Sequence, residues 1–375
     1  MWIQKYDSTR ITYRFGAAIY WGESMKNVMV IGMVFFTCVA NAQEPIAIPC
    51  KSDDAKCALE ARAKSIVRSK SFWAAALAKP LEQRIGVAPD ELLVYLNLDN
   101  IASGLPNRPR AVQIPADLLK DVSDAIAELP PSIKALVDEK LVGIYFVKDL
   151  GGTGFTDYVH GGRFSRDAGF IALDMDVLAR QTANAWATWK ENTPFIFDGS
   201  YKLEAQIENE AGDNRKNAIQ YILLHELGHI ISIGENIHPR WDGSASSVDK
   251  FPFARLTWKF VPGNRKYVSR YDDSFFGERG EVRYYFGPTI AAQRMASLYA
   301  KLMDTNFPTL YAATHPGDDF AESFVTYVHT MVQKRPWEIR ITSGGNVAKT
   351  YNSCWEEKRC AEKRRILEGV LGVKE

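Results

Sequence analysis

The stretch Asn217-Ala-Ile-Gln-Tyr-Ile-Leu-Leu-His-Glu-Leu-Gly-His-Ile-Ile-Ser-Ile-Gly234 constrains this chain more than any other. Its apolar residues recur at helical spacing, Asp213 can cap the start and Gly234 can end it. Inside lies His225-Glu226-Leu227-Gly228-His229. Residues four apart on a helix stand one above the other on the same face, so His225 and His229 can offer two imidazole nitrogens to one ion. Glu226 can then serve as general base toward a water activated there. Gly228 removes a side chain beside that face and admits a neighbouring backbone. A five-residue pattern can arise by chance, but here three titratable groups sit in a strongly apolar helix, where leaving them uncompensated is costly. The arrangement predicts Zn2+.

Of the 375 residues, 46% are hydrophobic and 12% aromatic, and the formal charge is +1. That is enough to bury a sizeable core in one large or two modest domains. The neutral balance gives no pointer to nucleic acid or to an anionic membrane surface.

Lys26, the apolar run Val28 to Val39 and the triplet Ala40-Asn41-Ala42 form the pattern of a secretory signal peptide cleaved after Ala42. The run is too short to span a bilayer comfortably, so no stable membrane insertion is expected after cleavage. Met1 to Ser24 read as an upstream extension, with Met25 a candidate initiator. Residues 1–42 are therefore set aside from the fold, and a secreted or periplasmic protein is expected. Without Cys38 the remaining cysteines are Cys50, Cys57, Cys354 and Cys360, an even number that suggests two disulfides. Cys50–Cys57 and Cys354–Cys360 are the simplest pairing.

Residues 43–115 read as a helical N-terminal region. Ser52 to Leu77 is helical in pattern, Leu92 to Asn97 fits a strand or a short helix, and Asn100 to Pro115 is a loop. Residues 116–375 read as the domain carrying the site. Helix signals in Ala116–Leu129 and Ser132–Glu139 precede a β-rich run, Leu141–Val147. Gly151 to Gly154 reads as a turn and Phe170–Asp174 as a second strand. The insert 235–310 is rich in Trp, Tyr and Phe and suits either a wall or lid over a cleft or a second aromatic core.

A catalytic zinc needs a third protein ligand and an open position. Ser232 and Glu235 stand where a longer HExxHxxGxxH pattern has Gly and His, and Asp249, about twenty residues on, lacks supporting neighbours. The best candidate lies in Asp318-Asp-Phe-Ala-Glu-Ser-Phe-Val-Thr-Tyr-Val-His329, where an acidic start precedes a helical apolar pattern and Glu322 sits one turn in.

Read with the HELGH stretch, this DFAESF segment resembles the zinc-binding glutamate helix of gluzincins of the lethal-factor type and their secreted relatives. The resemblance extends loosely over Leu141 to Asp174, whose helix–strand–strand order suits the upper half of a zincin, where an edge strand pairs with extended peptide. It implies an α+β, zincin-like metallopeptidase domain acting on a peptide or protein substrate. It implies His225, His229 and Glu322 as ligands and Glu226 as base. It further implies a residue, usually Tyr, just before the glutamate helix that donates to the developing oxyanion; Tyr311 or His315 can take that place. Thr326 occupies the position of Asp in the thermolysin-type pattern, so support for the ligands must differ. Asp318 or Asp319 can hold a ligand histidine by its far nitrogen, or simply place charge at a helix N-terminus. His329, seven residues beyond Glu322, is a rival ligand on the same face. Two other functions fit the same motifs: an inactive zinc-bearing binding module, and a zinc amidohydrolase acting on cell-wall amide bonds.

Overall fold

A computed structural model describes residues 46–163, 167–241, 246–263 and 266–373. The extension and signal pattern of residues 1–42 lie outside the described residues.

Four strands set the frame: β1 (Ile85–Val87), β2 (Leu141–Val147), β3 (Gly154–Val159) and β4 (Ala168–Asp174). β2 and β4 are apolar at nearly every position because both faces of their sheet are covered. Ile144, Phe146, Ile171 and Leu173 enter the main core, shared with the HELGH helix; Val142, Val147, Phe170 and Ala172 enter a smaller core with Leu92, Leu93 and Tyr95. The strand order is β1-β2-β4-β3. β1 and β4 run parallel to β2, and β3 closes the sheet antiparallel to β4, with Gly154 opposite Leu173 and Val159 opposite Ala168. Among the described residues no further strand joins β3, whose residues Thr156 to Val159 are buried and whose continuation at His160 pairs with Arg68 and Lys70.

The segment Leu92–Asn97 is helical, part of Asp90–Ser103, and ends where Gly104 takes φ 73°. The expected boundary at 115/116 is not a break. β1, from the front region, pairs with β2, and the Tyr95 hydroxyl donates to Asp157 on β3, so the chain from Ile46 onward forms one compact unit.

The HELGH helix runs Arg215–Ser232 and is buried almost all round. Its cap is Asn214, whose side chain accepts from Asn217 N, whereas Asp213 accepts from Asn184 N at 2.9 Å. At the other end Gly234 takes φ 77°, and Lys140 Nζ donates to the carbonyls of Ile231 and Ile233 at 2.8 and 2.9 Å. The DFAESF helix, Pro316–Tyr327, lies directly against it. A Cβ on Gly228 would meet Ala321 Cα at 2.9 Å, which is why glycine stands there.

A second, antiparallel sheet joins Tyr201–Gln206, Glu338–Ser343 and Asn346–Asn352. Phe253, Trp258, Phe276 and Tyr284 of the aromatic insert pack in the main core, so the insert builds no separate one. Cys50–Cys57 and Cys354–Cys360 are disulfide-bonded. Among the described residues no helix is long and apolar enough to cross a membrane. The architecture is α+β.

Candidate metal centre

The two central helices meet through side chains one turn apart on each. His225 and His229 project from the HELGH helix with ring centroids 5.0 Å apart. Opposite them, Asp318 and Glu322 project from the DFAESF helix at the same four-residue interval. Asp318 Oδ1 lies 3.6 Å from His229 Nε2, and Glu322 Oε1 lies 2.8 Å from His225 Nδ1.

These two carboxylates have different surroundings. His225, His229 and Asp318 each bring a ligand atom to within 4.8 Å of the others, a group that can hold a metal ion. Glu322, the ligand expected from the sequence, is outside that group. It is fully buried, and its oxygens are taken: Oε1 contacts Lys190 Nζ at 2.9 Å as well as His225, and Oε2 accepts from Thr309 Oγ1 at 2.7 Å. Burial alone would raise its pKa, but the Lys190 ammonium and His225 outweigh that and hold the carboxyl down to about 2. Asp318, by contrast, is pushed up to about 6 by burial. Asp318 thus belongs to the group that can hold an ion, and Glu322 contacts His225 from outside it.

The donor set suits a divalent cation. His225 turns Nδ1 toward Glu322, off the line of a straight hydrogen bond, which leaves Nε2 on the far side of the ring. His229 keeps Nδ1 buried without a hydrogen-bond partner and turns Nε2 toward Asp318. Burial, with the charge of His225 next, pushes His229 well below the ordinary histidine range, so it sits as the neutral imidazole that a metal requires. Two imidazole nitrogens and one carboxylate oxygen form an N/O donor set that suits several first-row divalent metals.

Glu226 faces the sheet. Its Oε2 accepts from Thr156 Oγ1 of β3 at 2.6 Å, and Oε1 occupies the space a side chain at residue 154 would need, which is left open by Gly154. Burial is the main influence on Glu226 and raises its pKa, against the opposing pull of His225. Tyr311 stacks on His225 with ring centroids 5.6 Å apart and planes at 16°, and Trp241 packs edge-on to His229 at 5.3 Å.

The remaining candidates have other partners. His315 caps the DFAESF helix, its Nδ1 accepting from Gly317 N at 3.1 Å. His329 is buried away from the ligands, its Nε2 donating to Ile207 O at 2.6 Å. Asp319 pairs with Lys363 and accepts from Trp258 Nε1 at 2.9 Å.

Asp318 had a signal in the sequence, because the Asp-x-x-x-Glu interval repeats the His-x-x-x-His interval it faces. Thr156 and Lys190 had none: one sits on a strand hidden behind a glycine-rich turn, the other in a helix of ordinary composition. Compared with family models, with curated proteins and with solved structures, the chain finds no match, so its reading rests on this geometry.

Proposed function

We propose that this protein is an exported zinc-dependent peptidase of zincin type, with His225, His229 and Asp318 as the metal ligands and Glu226 as general base. The observation that carries this reading is the convergence of those three ligand atoms within 4.8 Å, next to a glutamate that a β3 hydroxyl holds in place. Bound there, zinc would supply Lewis acidity toward the attacking water and the scissile carbonyl.

The chain's own residues do the rest. Thr156 occupies Oε2 of Glu226, so Oε1 is the atom free to take a proton from the attacking water and return it to the leaving amine. Tyr311, held against His225 by stacking, is the donor proposed for the developing oxyanion. Two disulfides support export.

The test is Glu226→Gln in the purified full chain, assayed for zinc content and for cleavage of a peptide library. Zinc retained with hydrolysis lost is the expected result. Undiminished cleavage by the variant would overturn the mechanism.

A further inference from the structure

Lys190 is an unusual residue to find where it is. It sits on the helix Ala183–Asn192 and is only 4% exposed. A buried ammonium needs compensation, and this one lies between two carboxylates, Glu322 Oε1 at 2.9 Å and Glu191 Oε1 at 3.4 Å. Aromatic rings enclose it: Tyr311 lies 4.7 Å from Nζ, Trp186 5.8 Å and Tyr284 5.9 Å.

The two carboxylates are not used alike. Glu191 turns its other oxygen to Tyr284 and Tyr299, whose hydroxyls donate to Oε2 at 2.9 and 2.8 Å. That half of the cluster is anchored within the core. Glu322 instead places the same oxygen that meets Lys190 against His225 Nδ1. An ion pair serving the core alone has no need of that second contact. The Tyr311 ring that stacks on His225 is also the ring over which Lys190 Nζ lies.

We propose that Lys190 is a positioning residue for the metal centre: by fixing Glu322 Oε1 it holds His225 in the Nδ1–H tautomer with Nε2 directed to the metal, and it keeps Tyr311 stacked on that ring. This rests on the reading of His225 as a ligand. Partners behind a ligating histidine set its tautomer and ring orientation, and their loss typically weakens metal binding about 10–100-fold.

The experiment compares the full wild-type chain with Lys190→Met, with Glu191→Gln, and with the double variant Lys190→Met/Glu191→Gln. Lys190→Met leaves both carboxylates without their shared cation, and the double variant removes the charge of one of them, Glu191. Zn2+ affinity is measured by competition with a chromophoric chelator. The His225 tautomer is read from 15N chemical shifts of the metal-free protein, a readout that a purely structural role would not move in a folded variant. The expected result is about 10–100-fold weaker Zn2+ binding and loss of the single Nδ1–H form whenever Lys190 is absent, with neither change in Glu191→Gln. A folded double variant with wild-type affinity and tautomer would overturn the proposal. Failure of both Lys190 variants to fold would also overturn it, making the residue a requirement of the core. If the wild type itself binds no Zn2+, the peptidase reading fails, while the tautomer still reports whether Lys190 acts on His225.

Discussion

Glu322 stands behind His225 and not beside it: its Oε1 contacts Nδ1 at 2.8 Å, the same oxygen meets Lys190, and Thr309 holds its other oxygen. One turn earlier Asp318 faces His229 Nε2 at 3.6 Å with no buried cation of its own. This division of labour between two carboxylates on one helix is the basis of the first prediction. Glu322→Gln keeps the shape of the side chain and is expected to weaken Zn2+ binding about 10–100-fold, the range for a partner of a ligand. Asp318→Asn removes a ligand oxygen's charge and is expected to weaken it more. Chelator competition on both variants decides the order. The reverse order would return Glu322 to the ligand set.

Zinc should also be visible in stability. A ligand that binds only the folded chain stabilises it by mass action, by about 2.7 kcal/mol at a hundredfold excess over Kd. Adding Zn2+ to metal-free wild type is therefore expected to raise Tm in proportion to the logarithm of its free concentration. Removal with a chelator should reverse the shift. The same titration on Asp318→Asn should give a small shift or none. A Tm indifferent to Zn2+ in the wild type would count against the site.

Much of this site was legible in the sequence, and the limits of that legibility have physical causes. The HELGH helix announces itself because helical period, cap and metal spacing all fall in one segment, where i and i+4 geometry is local. The DFAESF helix was legible for the same reason. Where Asp318 and Glu322 each turn was not, since Glu322 is held by Lys190 and Thr309, 132 and 13 residues away from it in sequence. Strand β3 was missed because Gly151 to Gly154 reads as a turn and Thr156 and Asp157 interrupt the apolar pattern. Those polar residues are there for tertiary reasons, Thr156 to hold Glu226 and Asp157 to accept from Tyr95. The aromatic insert gave composition without placement. Its rings join the main core through packing that no local period encodes.

His329 gives a prediction about acid stability that is independent of the metal. Its Nε2–H donates to Ile207 O, so the ring is neutral, and Nδ1 is buried with no acceptor for a second proton. Burial lowers its pKa from 6.5 to about 4, with Arg335 adding to the effect. A base whose folded pKa lies below its unfolded value takes its proton first in the unfolded chain. Its contribution is therefore fully present above pH 6.5 and is lost as pH falls toward 4, by roughly 3 kcal/mol in all. Denaturant unfolding of the metal-free wild type and of His329→Gln across that window is expected to give curves that converge as pH falls. A constant offset between them would mean that His329 does not carry this dependence.

Gly228 provides the sharpest test of the packing between the two helices. In an open helix position, alanine in place of glycine gains about 1 kcal/mol. At Gly228 the added carbon would sit 2.9 Å from Ala321 Cα and 3.3 Å from Phe324 Cβ, against backbone that cannot swing away. Overpacking of that kind costs about 1–3 kcal/mol, so Gly228→Ala is expected to be destabilising despite its better propensity. Separating the helices also draws Asp318 away from the histidines, so Zn2+ affinity should fall with Tm. Gly369, inside the helix Ala361–Leu371, is the control: a Cβ there meets nothing within 4 Å, and alanine should raise Tm while leaving Zn2+ affinity unchanged. If the two alanine variants behave alike, the close approach of Gly228 to Ala321 is not what holds Asp318 in register with the two histidines.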